Sequence, residues 1–179
     1  KMDHGNNMFA EYNYDYLKSR EKTAYSKDKP VKEVLLNLTG NMWRYIWSIN
    51  GVPLSEADKI KIEQGQVVRI TLNNLTMMHH PMHLHGAYFT VEARGGPLGD
   101  RIIPPAQRRL AVTEMLDIAQ TMRISWVPHA PGNWLFHCHL MRHMSWLQTS
   151  SPDAPPERHA QHDAAGEDLL GGLVVGVTV

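Results

Sequence analysis

Gly132-Asn133-Trp134-Leu135-Phe136-His137-Cys138-His139-Leu140-Met141-Arg142-His143 carries an extended, aromatic-rich run straight into three histidines and the only cysteine of the chain. Read as a strand, the run places successive side chains on opposite faces. His137 and His139 then project together, and Cys138 projects the other way. A second stretch has the same character: His79-His80-Pro81-Met82-His83-Leu84-His85-Gly86. There His83 and His85 share a face, and His80, an odd number of residues from His83, turns away. Two constellations follow. One holds four imidazoles, from His83, His85, His137 and His139. The other holds His80, Cys138 and, after a short bend, His143.

Two imidazoles and one thiolate with a weak or absent axial ligand make the trigonal site of a one-electron copper centre, and imidazole-only sets also suit copper. Because His137, Cys138 and His139 are consecutive, the thiolate of one site is covalently wired to ligands of the other. Zinc held by Cys138 and three histidines is a chemical alternative. So are histidines that merely decorate a surface beside an inert buried thiol. The two clusters taken together favour one copper architecture.

Outward from these stretches, the chain has 179 residues, 42% hydrophobic and 20% charged, enough apolar content for a core. No apolar run reaches the roughly 18 residues of a membrane span. Eighteen basic residues balance eighteen acidic ones, so no net field would attract nucleic acid or an anionic membrane. Seven of the eleven histidines fall within residues 79–85 and 137–143, which is why metal chemistry takes precedence over other readings. A single cysteine excludes an internal disulfide framework. Strand-like runs are expected at Glu33–Leu38, Arg44–Ile49, Lys59–Glu63, Val67–Asn73, Leu84–Ala93, Arg109–Thr113, Thr121–Val127, Gly132–Cys138 and Gly171–Val179, with a helical turn near Ala57 or Arg142. Eight or nine short strands predict an all-β sandwich or barrel. Residues 1–30 read as a polar arm or inter-domain linker, residues 31–179 as the domain, and residues 148–170 as an exposed inserted loop. Glu114 and Asp117 read as solvated strand-end residues, and no phosphate loop, dinucleotide motif or protease motif competes. The chain starts at Lys1 without a leader pattern, which points to a longer or processed product.

The quoted residues resemble the C-terminal cupredoxin domain of the multicopper oxidases, the family of laccases, ascorbate oxidase and bacterial copper oxidases. His-Pro-x-His-x-His-Gly of the family stands here as His80 to Gly86, and Gly-x-Trp-x-x-His-Cys-His-x-x-x-His as Gly132 to His143. Trp47-Ser48-Ile49-Asn50-Gly51 and Pro131-Gly132-Asn133-Trp134 resemble flanking family text. The resemblance extends over about residues 33–179 and implies a cupredoxin-like Greek-key β-sandwich or barrel. It implies that His80, Cys138 and His143 hold a type 1 copper, His83 a type 2 copper, and His85, His137 and His139 the type 3 pair. Leu173, matched on the last strand, would occupy the axial position without coordinating. Gln148, by strict counting, and Met144 are the other axial candidates. His79 and His129 have no counterpart and read as structural or solvent-facing.

By the same resemblance a reducing substrate would dock at the exposed edge of His143, and electrons would pass through Cys138 to a trinuclear cluster that reduces dioxygen to water. Family members complete that cluster with two more His-x-His motifs from an N-terminal domain. This chain contains only its own two. Another cupredoxin domain, of the same precursor or a second chain, is therefore the expected partner, and a periplasmic or secreted location is implied. Two competing functions remain at this point. A single-domain cupredoxin electron carrier would use Cys138 and His143 but leave the four paired imidazoles idle. A metal-storage protein would use Met77, Met78, Met82, Met141, Met144, His159 and His162.

Overall fold

The computed structural model describes residues 17–41, 43, 46–52, 59–97, 99–144 and 172–179. Its strands are β1 (Val31–Asn41), β2 (Ile46–Ile49), β3 (Ile60–Lys61), β4 (Val67–Asn74), β5 (His80–Leu84), β6 (Phe89–Gly95), β7 (Arg101–Ile102), β8 (Leu110–Ala111), β9 (Thr113–Leu116), β10 (Thr121–Trp126), β11 (Asn133–Cys138) and β12 (Val174–Thr178). One helical turn, α1 (Met141–Met144), follows β11. The strands form two sheets. One runs β2-β1-β4-β10-β6-β7 with β8 also on β6, and the other runs β3-β12-β11-β5-β9. Apolar residues of both inner faces meet in one core that includes Ile70, Leu72, Phe89, Ile124, Phe136 and Cys138. The all-β sandwich expected from the strand pattern is what forms.

Alternation explains the placement. Along β4, Val68, Ile70, Leu72 and Asn74 are buried while Arg69, Thr71 and Asn73 are partly exposed. The inward row thus ends on a polar residue, Asn74. Along β5 the burial alternates in the same way, with His80, Met82 and Leu84 buried. The expected single run Leu84–Ala93 is divided between β5 and β6, because Gly86 turns the chain with φ +74°. The helical turn near Arg142 is α1; Ala57 and residues 148–170 lie outside the described residues.

On the outer face of the larger sheet, β6 carries one extra residue against β10. Arg123 pairs with Ala93 and Ile124 with Val91, so Glu92 is the bulged position. Its buried carboxylate accepts from Arg69 Nε (2.7 Å), Ser125 Oγ (2.8 Å) and Arg108 Nη1 (3.4 Å). Residues 17–30 run beside this network. Ser19 N–H donates to the Arg108 carbonyl (2.9 Å), and the buried Thr23 hydroxyl donates to the Pro105 carbonyl (2.6 Å). Glu114 is not a solvated strand end. It is 8% exposed and is gripped by both Arg94 and Arg109, whose guanidinium groups compensate its charge in place of water.

Burial would raise the Glu92 carboxyl, but hydrogen bonds from Arg69 and Ser125 outweigh it and hold the group below its ordinary value. A carboxyl depressed in the folded state stabilises the fold above its unfolded pKa, and that contribution is lost as pH falls through the folded value. Glu92→Gln should therefore lower unfolding free energy at pH 7 by about 1–3 kcal/mol, as expected for weakened hydrogen bonds to charged groups. The deficit should shrink well below the unperturbed carboxylate pKa of about 4.3. Denaturant titrations at neutral and acid pH measure both.

Candidate metal centre

The site is built where β5 and β11 lie side by side. His83 pairs with His137 and Met82 with Cys138 across the ladder. With the register set, side-chain alternation sends His80, Met82 and Cys138 into the core and His83 and His137 to the opposite face. Backbone bonds carry the order past the strand ends. His139 N–H donates to the Pro81 carbonyl (2.7 Å), and His85 N–H donates to the Leu135 carbonyl (2.9 Å). The half-buried Trp134 side chain clamps the two motifs together. A Cβ at Gly86 would collide with the Trp134 ring, and one at Gly132 would approach it to 3.0 Å, so both glycines let the indole lie flat on the backbone.

On the core side, Cys138 Sγ lies 3.6 Å from His80 Nδ1 and 3.5 Å from His143 Nδ1, and the two nitrogens are 3.0 Å apart. Bonds of about 2.0 Å to nitrogen and 2.3 Å to sulfur, as found at zinc, meeting at one centre separate the donors by roughly 3–3.7 Å. The three donors fit one metal ion. All three residues are buried. Burial, reinforced by His143 and His79, pushes His80 down to about 3, and burial alone lowers His143. Burial pushes the Cys138 thiol up to about 11, against an opposing backbone bond from Leu140. The imidazoles are thus neutral and ready to ligate, whereas the thiol must lose its proton to a metal. The Trp47 ring packs over His143 with centroids 4.2 Å apart and meets His80 edge-on at 5.2 Å. Leu173 is fully buried. Its carbonyl accepts from Cys138 N–H (3.0 Å) and its N–H donates to the His143 carbonyl (2.9 Å).

On the other face, His83, His85 and His137 bring ligating atoms within 4.8 Å of one another. His85 Nε2 and His137 Nε2 are 2.9 Å apart. His139 joins them, its ring stacked on His137 and edge-on to His83 at 5.0 Å. The Nδ1 atoms of two rings are already engaged, in His83 with Thr113 Oγ1 (2.7 Å) and in His137 with the Cys138 carbonyl (2.8 Å). The carbonyl can only accept, so His137 Nδ1 carries the proton and its Nε2 is left for a metal. Burial lowers both His83 and His137, and neighbouring imidazoles add to the effect. His85 and His139 are exposed, so this group opens outward while the cysteine group is sealed.

A family profile described as "Multicopper oxidase" matches residues 28–148. The chain belongs to the multicopper oxidase family. Copper resistance protein A of Escherichia coli is 36% identical over 135 residues, covering 73% of this chain and 20% of that protein. Multicopper oxidase MmcO of Mycobacterium tuberculosis is 33% identical over 117 residues, covering 63% of this chain and 21% of that protein. This multicopper oxidase chain thus spans about a fifth of the length of these relatives. In fold it is similar to the blue copper oxidase of Nitrosomonas europaea, with TM-score 0.62 and 17% identity over 85% of this chain and 45% of that one. The sandwich is cupredoxin-like.

The structure brings His80, Cys138 and His143 together, and His83, His85 and His137 together; His139 lies beside the second group through ring contacts with His83 and His137. Of the remaining residues considered from sequence, His79 is exposed and pairs with Asp117 (2.9 Å), and His129 is exposed with its carbonyl bound by Gln64. Met144 is half-buried at the end of α1, and Gln148, His159 and His162 lie outside the described residues. The docking position expected at His143 is corrected. His143 offers no exposed edge, being 1% exposed, because Trp47 covers its ring and the chain closes over it at Leu173. Three contributors escaped the sequence reading: Thr113 behind His83, and Asn74 with Thr76 behind His80. The one available signal was Asn74, a polar residue at an inward position of an alternating strand.

Proposed function

We propose that this chain is the C-terminal copper-binding domain of a laccase-like multicopper oxidase. His80, Cys138 and His143 would hold a type 1 copper. His83 would hold the type 2 copper, and His85, His137 and His139 would bind the type 3 pair. Leu173 would fill the axial position of the type 1 site. Bound there, copper would supply one-electron chemistry, taking electrons singly from a reducing substrate and delivering them to a trinuclear cluster where dioxygen becomes water.

The observation that carries this reading is the back-to-back arrangement on β11. Cys138 reaches His80 and His143 on the core side, while on the other His137 reaches His83 and His85 and His139 reaches His83. The chain's own residues do three things. They exclude water from the thiol and its imidazoles, they hold the rings by Thr113, Thr76 and backbone carbonyls, and they join the two groups through consecutive peptide units. With His143 covered, a reductant would meet the exposed side chains of Leu140 and Met141 beside it. The outward-facing imidazoles suit completion by histidines of another cupredoxin domain. A periplasmic or secreted location goes with this role.

The experiment is oxygen uptake. The copper-loaded chain, given a reductant, should show no dioxygen consumption alone, and consumption should appear when a polypeptide supplying two further His-x-His motifs is joined to it. Uptake by the pure chain would refute the shared cluster.

A further inference from the structure

His80 Nε2, the ring nitrogen facing away from Cys138, lies 2.6 Å from Thr76 Oγ1 in a buried contact. The direction of that bond follows from its neighbours. Asn74 Nδ2 donates to the carbonyls of Met78 (2.7 Å) and Asp117 (2.9 Å). Those two acceptors fix the amide, since the flipped form would set its oxygen against two carbonyl oxygens. Asn74 Oδ1 then faces Thr76 and accepts its backbone N–H (3.0 Å). Thr76 Oγ1 is 2.8 Å from the same Oδ1. A carboxamide oxygen has no proton to give, so the threonine hydroxyl gives its only one. The other acceptor within its reach, the Met78 carbonyl at 3.3 Å, takes it with the same result. Toward His80, Thr76 Oγ1 can only accept.

We infer that Asn74 and Thr76 are positioning residues that hold His80 in its Nε2–H tautomer, leaving the Nδ1 lone pair aimed at Cys138 Sγ and His143 Nδ1. The inference rests on the reading of His80 as a copper ligand. It adds that ligand competence is set from the loop after β4, by a relay that runs from the last inward residue of one sheet to a ligand strand of the other. A ligating imidazole whose second nitrogen is tied down keeps its tautomer and ring orientation, and losing such a partner typically costs about 10–100-fold in metal affinity.

The test uses the full chain, and its first readout needs no copper. Nitrogen-edited NMR of the metal-free protein should find the His80 proton on Nε2. Thr76→Val, which keeps the shape and removes the acceptor, should shift His80 toward the Nδ1–H form and weaken Cu(II) binding at the thiolate, read by chelator competition, by about tenfold or more. Thr76→Ser, which keeps the hydroxyl, should restore the tautomer and bring affinity back to within about threefold. A wild-type His80 protonated on Nδ1 overturns the inference, whatever the variants do. So does a Thr76→Val chain with unchanged tautomer and affinity. A wild-type chain that develops no thiolate-to-copper absorption overturns the copper-site reading instead, and the tautomer measurement separates the two failures.

Discussion

In the Cys138→Ser chain the intense visible absorption of a copper–thiolate centre is expected to be absent, and bound copper should fall by the one ion held on the core side. Serine keeps the size of the side chain but replaces a polarisable sulfur by a hydroxyl that stays protonated, so the soft donor of the trigonal set is lost. The backbone arrangement should survive, because the bond from residue 138 N–H to the Leu173 carbonyl and the β11 pairings do not involve the thiol. The cost of placing a hydroxyl at a fully buried position is about 1–3 kcal/mol. The four imidazoles on the opposite face are untouched and should still bind copper without the visible band. Optical spectra with metal analysis measure both parts. A persistent band would mean that another sulfur is the ligand.

Trp47→Ala is expected to give the largest loss of stability, about 3–5 kcal/mol, the usual range for truncating a buried large aromatic residue. The indole is fully buried and packs on both imidazoles of the cysteine group. Gly40 of β1 lies so close that a Cβ there would approach the ring to 2.5 Å, so the backbone is shaped around this side chain. Its removal leaves a void beside His143 and admits water to the thiol. A lowered denaturant midpoint with unchanged slope would identify a stability effect without loss of two-state unfolding. A loss below about 1 kcal/mol would show that the core collapses into the space, and that the indole is not what seals the site.

Much of this site is legible in the sequence because strand periodicity is rigid. Once Cys138 is placed on a strand, His137 and His139 must face away from it, and the same logic separates His80 from His83 and His85. The alternation of Val68, Ile70 and Leu72 likewise reads directly as a half-buried strand. What escapes is set by contacts between residues far apart in the chain. Pro81, His80 and His83 keep β5 out of the strand-like runs even though its faces are readable, because its order comes from β11 and β9 on either side. Glu92 gives no sign of a bulge, and the burial of Glu114 follows from Arg94 and Arg109 arriving from elsewhere. The burial of His143 depends on Trp47, an early strand residue whose motif is visible but whose position over the ring is not. Thr76 looks like an ordinary loop threonine until the fold brings His80 onto it.

The most direct test is diffraction from the copper-loaded chain at the copper absorption edge, with anomalous density locating the metal. One peak bonded to His80 Nδ1, Cys138 Sγ and His143 Nδ1 is expected, with separate density on the far side of β11 against His83, His85, His137 and His139. A single peak bound by Cys138 together with His137 or His139, or a thiol with no metal beside it, would contradict the division of the two faces on which everything else rests.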